Sequence, residues 1–321
     1  MLQIFSITFP FFALVLCGYL AARWRWLPLE AVTGMNSFVL FFALPCMLYR
    51  FGATTPLAQL LDAGVFLTYS FCALVLVVLA VAISLNSRIG WNDAAFGALV
   101  AAFPNSGFMG VPLLVAILGA GAAGPIIVTM MIDMVLTTSL CIAASRLDGA
   151  DKHGISKALK KALKGVLTNP LPWSILFGAL VSALGLTLFR PVSQTVGLLA
   201  DAASPVALFT IGAVLARSQV LAERHQQAPM LLRDYLPLVA FKLFLHPLLV
   251  LLVGSMVIRL GLPLSRFALT VMVLVAALPS ASNVSLLAER FGADNGRIAR
   301  IILVSTAAAF GTFSLAVSWL T

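Results

Sequence analysis

The sequence predicts an all-α polytopic membrane protein, with ten transmembrane helices arranged as two inverted five-helix repeats. Three observations carry this prediction. Hydrophobic residues fill 61% of the 321 positions and charged residues only 10%, with a mean hydropathy of +1.07. A soluble domain carries roughly 25% charged residues, so this chain lacks the charge to coat a water-soluble globule. Apolar runs recur at the length of about 20 residues that a helix needs to span hydrocarbon, without the short alternating stretches of a membrane β-barrel. The two halves also share a proline and glycine pattern at one fixed offset. Composition thus excludes a cytosolic enzyme, a nucleic-acid-binding module and a disordered adaptor.

The apolar segments are Leu2–Ala22, Ala31–Tyr49, Ala63–Leu85, Ala94–Leu118, Ile126–Ala144, Pro172–Phe189, Val196–Ala216, Leu236–Ile258, Phe267–Ala288 and Ile301–Leu320. The first has no basic start, carries Pro10 in its middle and runs straight into Arg23 and Arg25. It reads as a retained helix, not a cleaved signal. Cys17, Cys46, Cys72 and Cys141 all lie inside apolar runs, with no metal-binding or redox spacing, and act there as small hydrophobes. Segments six to ten repeat the plan of one to five. Pro10 and Gly18 fall over Pro170 and Gly178, and Pro45, Leu48 and Gly52 over Pro205, Leu208 and Gly212, all at an offset of 160 residues. Five is odd, so the second copy is inverted, a recurrent plan of secondary transporters. The first repeat is 1–145, the second 169–321, and residues 146–168 form a basic cytoplasmic linker. Its Lys157, Lys160, Lys161 and Lys164 alternate with apolar residues, as in a short helix lying on an anionic leaflet.

Net charge is +9, a surplus that in a membrane protein anchors cytoplasmic loops. The loops after odd-numbered segments hold 15 Lys and Arg, those after even-numbered segments hold 4, and Lys242 alone lies within a span. That asymmetry places both termini on the outer, periplasmic side of the cell inner membrane and the linker inside.

Segments four and nine are interrupted. One contains Phe103-Pro104-Asn105-Ser106-Gly107-Phe108-Met109-Gly110-Val111-Pro112, the other Leu278-Pro279-Ser280-Ala281-Ser282-Asn283. A proline followed by small and polar residues frees backbone groups that lipid cannot satisfy, so such a break must face protein or water. Each segment is predicted to be two half-helices meeting near the midplane, with Pro104 and Pro279 as the breaks. Half-helix N-termini favour an anion. Asn105, Ser106, Gly107, Ser280, Ser282 and Asn283 are the candidate substrate-binding positions. A simple proline kink without a site is the plainer alternative.

Buried charge is scarce and therefore functional by default. Asp133 lies mid-segment in the fifth run, sharing a face with Thr129, Thr137 and Cys141. Lys242 shares a face of the eighth run with His246, which precedes Pro247. Asp133, Lys242 and His246 are candidates for proton or charge coupling, against a structural pair or a snorkelling lysine. An unperturbed imidazole titrates near pH 6.5. Asp201 lies closer to a helix end and reads as interfacial.

The run Asn105-Ser106-Gly107-Phe108-Met109-Gly110-Val111-Pro112 resembles a signature of the auxin efflux carrier family. So do Asn169-Pro170, residues Ser204 to Gly212, Lys242-Leu243-Phe244-Leu245-His246-Pro247, and Leu278 to Asn283 followed by Ala288-Glu289-Arg290-Phe291-Gly292. The short central loop is similar to that of the bacterial malonate and malate permeases. The resemblance implies a crossover fold of the bile-acid-symporter and sodium/proton-antiporter type, usually as a homodimer. It implies a scaffold of helices 1, 2, 6 and 7, a moving body of helices 3–5 and 8–10, and binding roles for Asn105 and Asn283. The function expected is secondary active transport of a small organic anion by alternating access, without a cofactor; uptake against a negative interior favours coupling to H+ or Na+, whereas export could run downhill without either. Rival readings are a sodium/proton antiporter on the same fold and a membrane anion sensor. Neither an enzyme motif nor a nucleic-acid-binding pattern is present.

Overall fold

A computed structural model describes residues 2–55, 62–147, 170–224 and 231–321. The basic linker with its four lysines lies outside the described residues. In chain order the helices are α1 Leu2–Arg23, α2 Ala31–Thr54, α3 Ala63–Ser84, α4 Trp91–Ala102, α5 Ser106–Leu118, α6 Ala120–Ala144, α7 Pro170–Ala183, α8 Arg190–Arg224, α9 Leu232–Arg259, α10 Arg266–Ala277, α11 Asn283–Phe291 and α12 Asn295–Leu320. Six of them are long and apolar enough to cross a membrane: α2, α3, α6, α9, α12 and the Arg190–Arg217 part of α8. No strand is present among the described residues beyond one isolated bridge.

Sequence explains the helix ends. Asp62, Ser265 and Asp294 cap α3, α10 and α12, accepting from the amides of Val65, Ala268 and Arg297 at 3.0 Å each. Such caps satisfy amides that a helix start leaves free. Gly261 and Gly292, just past α9 and α11, adopt φ of 73° and 68°, the left-handed turn that glycine makes without a Cβ penalty. The sequence places the seventh segment at Val196–Ala216, but α8 runs 35 residues from Arg190 to Arg224. Hydropathy marks only the apolar part, and the helix continues into polar residues at both ends.

The described helices fall into two compact units. The first holds α1, α2, α5 from Gly107, α7 and α8. The second holds α3, α4, α6 from Pro125, and α9 to α12. Each unit therefore draws on both sequence halves.

The first unit packs by close backbone approach. A Cβ at Gly18 of α1 would collide with the Phe209 carbonyl of α8, and one at Gly178 of α7 with the Tyr49 carbonyl of α2. Gly212 stands likewise against the Val15 carbonyl, and Gly52 against that of Ile175. The offset of 160 residues converts each contact into its counterpart. Small residues permit this approach where lipid offers no hydrophobic drive between helices. Arg50 and Asp201 form an exposed ion pair at 2.6 Å across α2 and α8, and because α8 begins at Arg190, Asp201 lies about three turns inside the helix and not close to its end.

The second unit has a polar interior. Its apolar core joins Val65 and Cys72 of α3, Ile132 of α6, Val250 of α9 and Met272 of α10. At one end Arg297 is buried at 3% exposure. It donates to the carbonyls of Asp234 at 2.7 Å and Asp93 at 2.9 Å, and to the Ser84 hydroxyl at 3.2 Å. It is one of the 15 basic residues counted to the loops after odd-numbered segments, a placement that the structure corrects. Arg297 sits in the first turn of α12 and ties the ends of α3, α4 and α9 together.

Candidate functional site

Two prolines build the crossing. Pro104 disfavours helix at the preceding residue, and α4 stops at Ala102 with Phe103 extended at φ −94°, ψ 102°. Pro279 acts alike, leaving Leu278 extended after α10 at φ −62°, ψ 156°. The two extended stretches pair antiparallel at Pro104 and Ser280. The Asn105 amide donates to the Pro279 carbonyl and the Ala281 amide to the Phe103 carbonyl, both at 2.9 Å. Backbone groups freed by one break thus satisfy those of the other, as a membrane interior demands. The Ser280 amide donates to the Ser305 hydroxyl of α12 at 3.3 Å. Ser106 turns its amide and hydroxyl back to the Pro104 carbonyl at 2.8 and 3.3 Å.

Several polar groups at this crossing have no hydrogen-bond partner among the described residues. The buried Ser280 hydroxyl has none. Among the described residues nothing hydrogen-bonds the side-chain amides of Asn105 or Asn283, or the Ser282 hydroxyl. The backbone amides of Ser282 and Asn283, where α11 begins, also find no acceptor there. Donors left open beside a helix N-terminus form an arrangement suited to a carboxylate. Asn105, Ser106, Ser280, Ser282 and Asn283 all belong to the second unit, whereas Gly107 opens the stretch assigned to the first.

The three buried charged or titratable candidates also meet in the second unit, each with no exposed surface. Asp133 opens a π-turn in α6, and Lys242 lies within a π-turn of α9. Such turns in a helix frequently mark functional positions. Asp133 accepts from the Tyr69 hydroxyl of α3 at 3.0 Å and from Thr137 at 3.2 Å. Thr129 turns instead to the Ile126 carbonyl. The Lys242 ammonium lies 3.1 Å from His246 Nδ1 and donates to the Ala276 carbonyl of α10 at 2.9 Å. The tautomer of His246 sets the direction of that contact, and the other ring nitrogen, Nε2, is buried without a hydrogen-bond partner among the described residues. Asp133 and Lys242 form no direct ion pair among the described residues. Tyr69 stands between the two groups instead, bonded to Asp133 and with its ring 5.8 Å from that of His246. Sequence reasoning missed Tyr69. Its signal was a phenol hydroxyl in the middle of an apolar run, which needs a partner there.

The family described as membrane transport protein matches residues 3–317. The chain belongs to that family. It is the family of the auxin efflux carriers, which the motifs at 105–112 and 278–283 resemble. A Rhizobium meliloti (strain 1021) protein named "Putative malonate transporter" is 28% identical over 307 residues, covering 95% of this chain and 92% of that protein. The Escherichia coli (strain K12) protein named "Uncharacterized transporter YfdV" is 28% identical over 293 residues, covering 88% and 86%. A Shigella flexneri protein of the same name matches to the same extent. The chain is a membrane transporter of this family.

Proposed function

We propose that the protein is a secondary active transporter of a small organic anion, a short mono- or dicarboxylate, working by alternating access. The carrying observation is the set of unpartnered donors at the paired breaks: the Asn105 and Asn283 amides, the Ser280 hydroxyl and the free amides at the start of α11. A carboxylate there gains the helix terminus and neutral donors without meeting a fixed cation. The malonate named for the Rhizobium meliloti relative fits this chemistry and is the first substrate to try.

In this reading ten spans form two inverted repeats, supported by the glycine contacts related through one offset. The second unit is the moving body of an elevator, in a homodimer of the inner membrane with both termini outside. Asp133, Lys242 and His246 set the proton or charge dependence, and Tyr69 joins their two halves. Lys242 reaches the binding site through the Ala276 carbonyl, three residues before the Pro279 break. An imposed voltage acts on a net charge by about 2.3 kcal/mol per 100 mV, so anion uptake into a negative interior needs a coupled H+ or Na+.

The test is uptake by purified protein in vesicles, with malonate, malate and indole-acetate under imposed pH, sodium and voltage gradients. Net carboxylate flux is expected. Cation exchange without anion flux would replace this reading with the antiporter, and binding without flux would replace it with a sensor.

A further inference from the structure

We infer that a pocket at the membrane-surface end of the second unit, where α9 ends and α10 begins, binds one anionic phospholipid. The pocket has a volume of about 300 Å³ and is lined by the last turns of α9, the first turns of α10 and Leu320, the last residue of α12. Its chemistry is layered. Arg259 closes α9 and Arg266 opens α10, level with the lipid headgroups because the apolar spans stop there. Both are exposed, and neither has a carboxylate partner among the described residues.

One helical turn inward from each arginine stands a hydroxyl. Ser255 lies four residues before Arg259 and Thr270 four after Arg266, about 6 Å deeper at 1.5 Å per residue. Neither hydroxyl has a hydrogen-bond partner among the described residues. Deeper still the lining is apolar, with Leu251 and Val273 about 10–12 Å below the arginines by the same rise. The neighbouring Leu252 and Met256 of α9 are exposed, so this flank lies open to hydrocarbon.

Two unpaired guanidiniums match a phosphodiester, hydroxyls one turn below match glycerol-ester oxygens, and the apolar floor takes the start of an acyl chain. A free inorganic anion would use only the first layer. Arg266 adds a second reason for an anion. A cation in the first turn of a helix opposes the macrodipole, and a bound phosphate removes that conflict.

The experiment is native mass spectrometry of the full chain in detergent, titrated with phosphatidylglycerol or with phosphatidylcholine of the same acyl chains. Phosphatidylglycerol is expected to bind about thirtyfold more tightly, the worth of two surface arginines toward an anionic lipid. The double variant Arg259→Gln/Arg266→Gln should lose that preference. Ser255→Leu, which fills the pocket and keeps both charges, should lose it as well, while melting in lipid-free detergent stays as in the wild type. Equal binding of both lipids, or a preference kept in either variant, would overturn the inference. Displacement of the lipid by inorganic phosphate at comparable concentration would make this a free-anion site and overturn it too.

Discussion

The two units solve the problem of helix packing in lipid by opposite means. In the first, glycines let backbones touch, and the buried polar side chains among the described residues are Thr55 and Thr210. In the second, Asn105, Asp133, Lys242, His246, Ser280 and Arg297 are all buried. Packing by backbone contact leaves no buried charged side chain in the first unit among the described residues. A polar interior is expensive in hydrocarbon, and here it gathers around the breaks and π-turns that a uniform helix would not contain. In the proposed mechanism the first unit is the frame and the second holds the chemistry, and the two should fail differently when mutated.

The largest expected loss is in the first unit. Gly18→Leu or Gly212→Leu must force two helices apart against a carbonyl. Overpacking costs about 1–3 kcal/mol even where side chains can yield, and backbone cannot yield as they do. Little monodisperse protein should be recovered by gel filtration in detergent, whatever ligand is present. Next comes the clamp of the second unit. Arg297→Met strands the Asp93 and Asp234 carbonyls and the Ser84 hydroxyl, each at about 1–3 kcal/mol if it stays unsatisfied, so the melting temperature should fall by several degrees. Arg297→Lys should recover part of that loss.

Single changes among the buried charges should be smaller in stability and larger in transport. Asp133→Asn and Lys242→Met should each slow uptake in vesicles. Removing one buried charge commonly costs more than removing both, and here the two act through Tyr69 and His246. Tyr69→Phe should therefore reproduce much of the Asp133→Asn defect in rate while keeping near-native melting. His246→Gln should alter the pH profile of uptake while leaving substrate affinity within about twofold, because it replaces the group that Lys242 meets at 3.1 Å and spares the donors at the breaks. Unchanged rates and pH profiles in all four variants would reduce this cluster to a structural one.

Much of this contrast was legible in the chain. The prolines at 104 and 279 announced the breaks because a proline removes a donor and straightens the residue before it. The 160-residue offset marked Gly18 and Gly178, and Gly52 and Gly212, as equivalent positions, although not that each would pack against a carbonyl. Asp133, Lys242 and His246 stood out as rare polar groups in apolar runs. Their partners did not, because periodicity fixes the face of a helix and not which helix that face meets. Tyr69 and Ala276 come from α3 and α10, more than 30 residues away from the groups they bind. Arg297 was misplaced for the same reason. A basic residue near a helix end looks like a loop anchor until the neighbouring helix ends close over it.

The proposed carboxylate site lies at the paired breaks. It is tested most directly by equilibrium binding of labelled malonate to the purified wild type and to Asn105→Ala and Asn283→Ala, with melting temperature measured on the same samples. Neither amide has a hydrogen-bond partner to lose among the described residues, so melting without ligand should be unchanged. A ligand hydrogen bond removed from a buried site is worth about 1–3 kcal/mol, so affinity should fall between about fivefold and a hundredfold in each variant. Wild-type affinity in both variants would contradict the account and place the anion elsewhere in the protein.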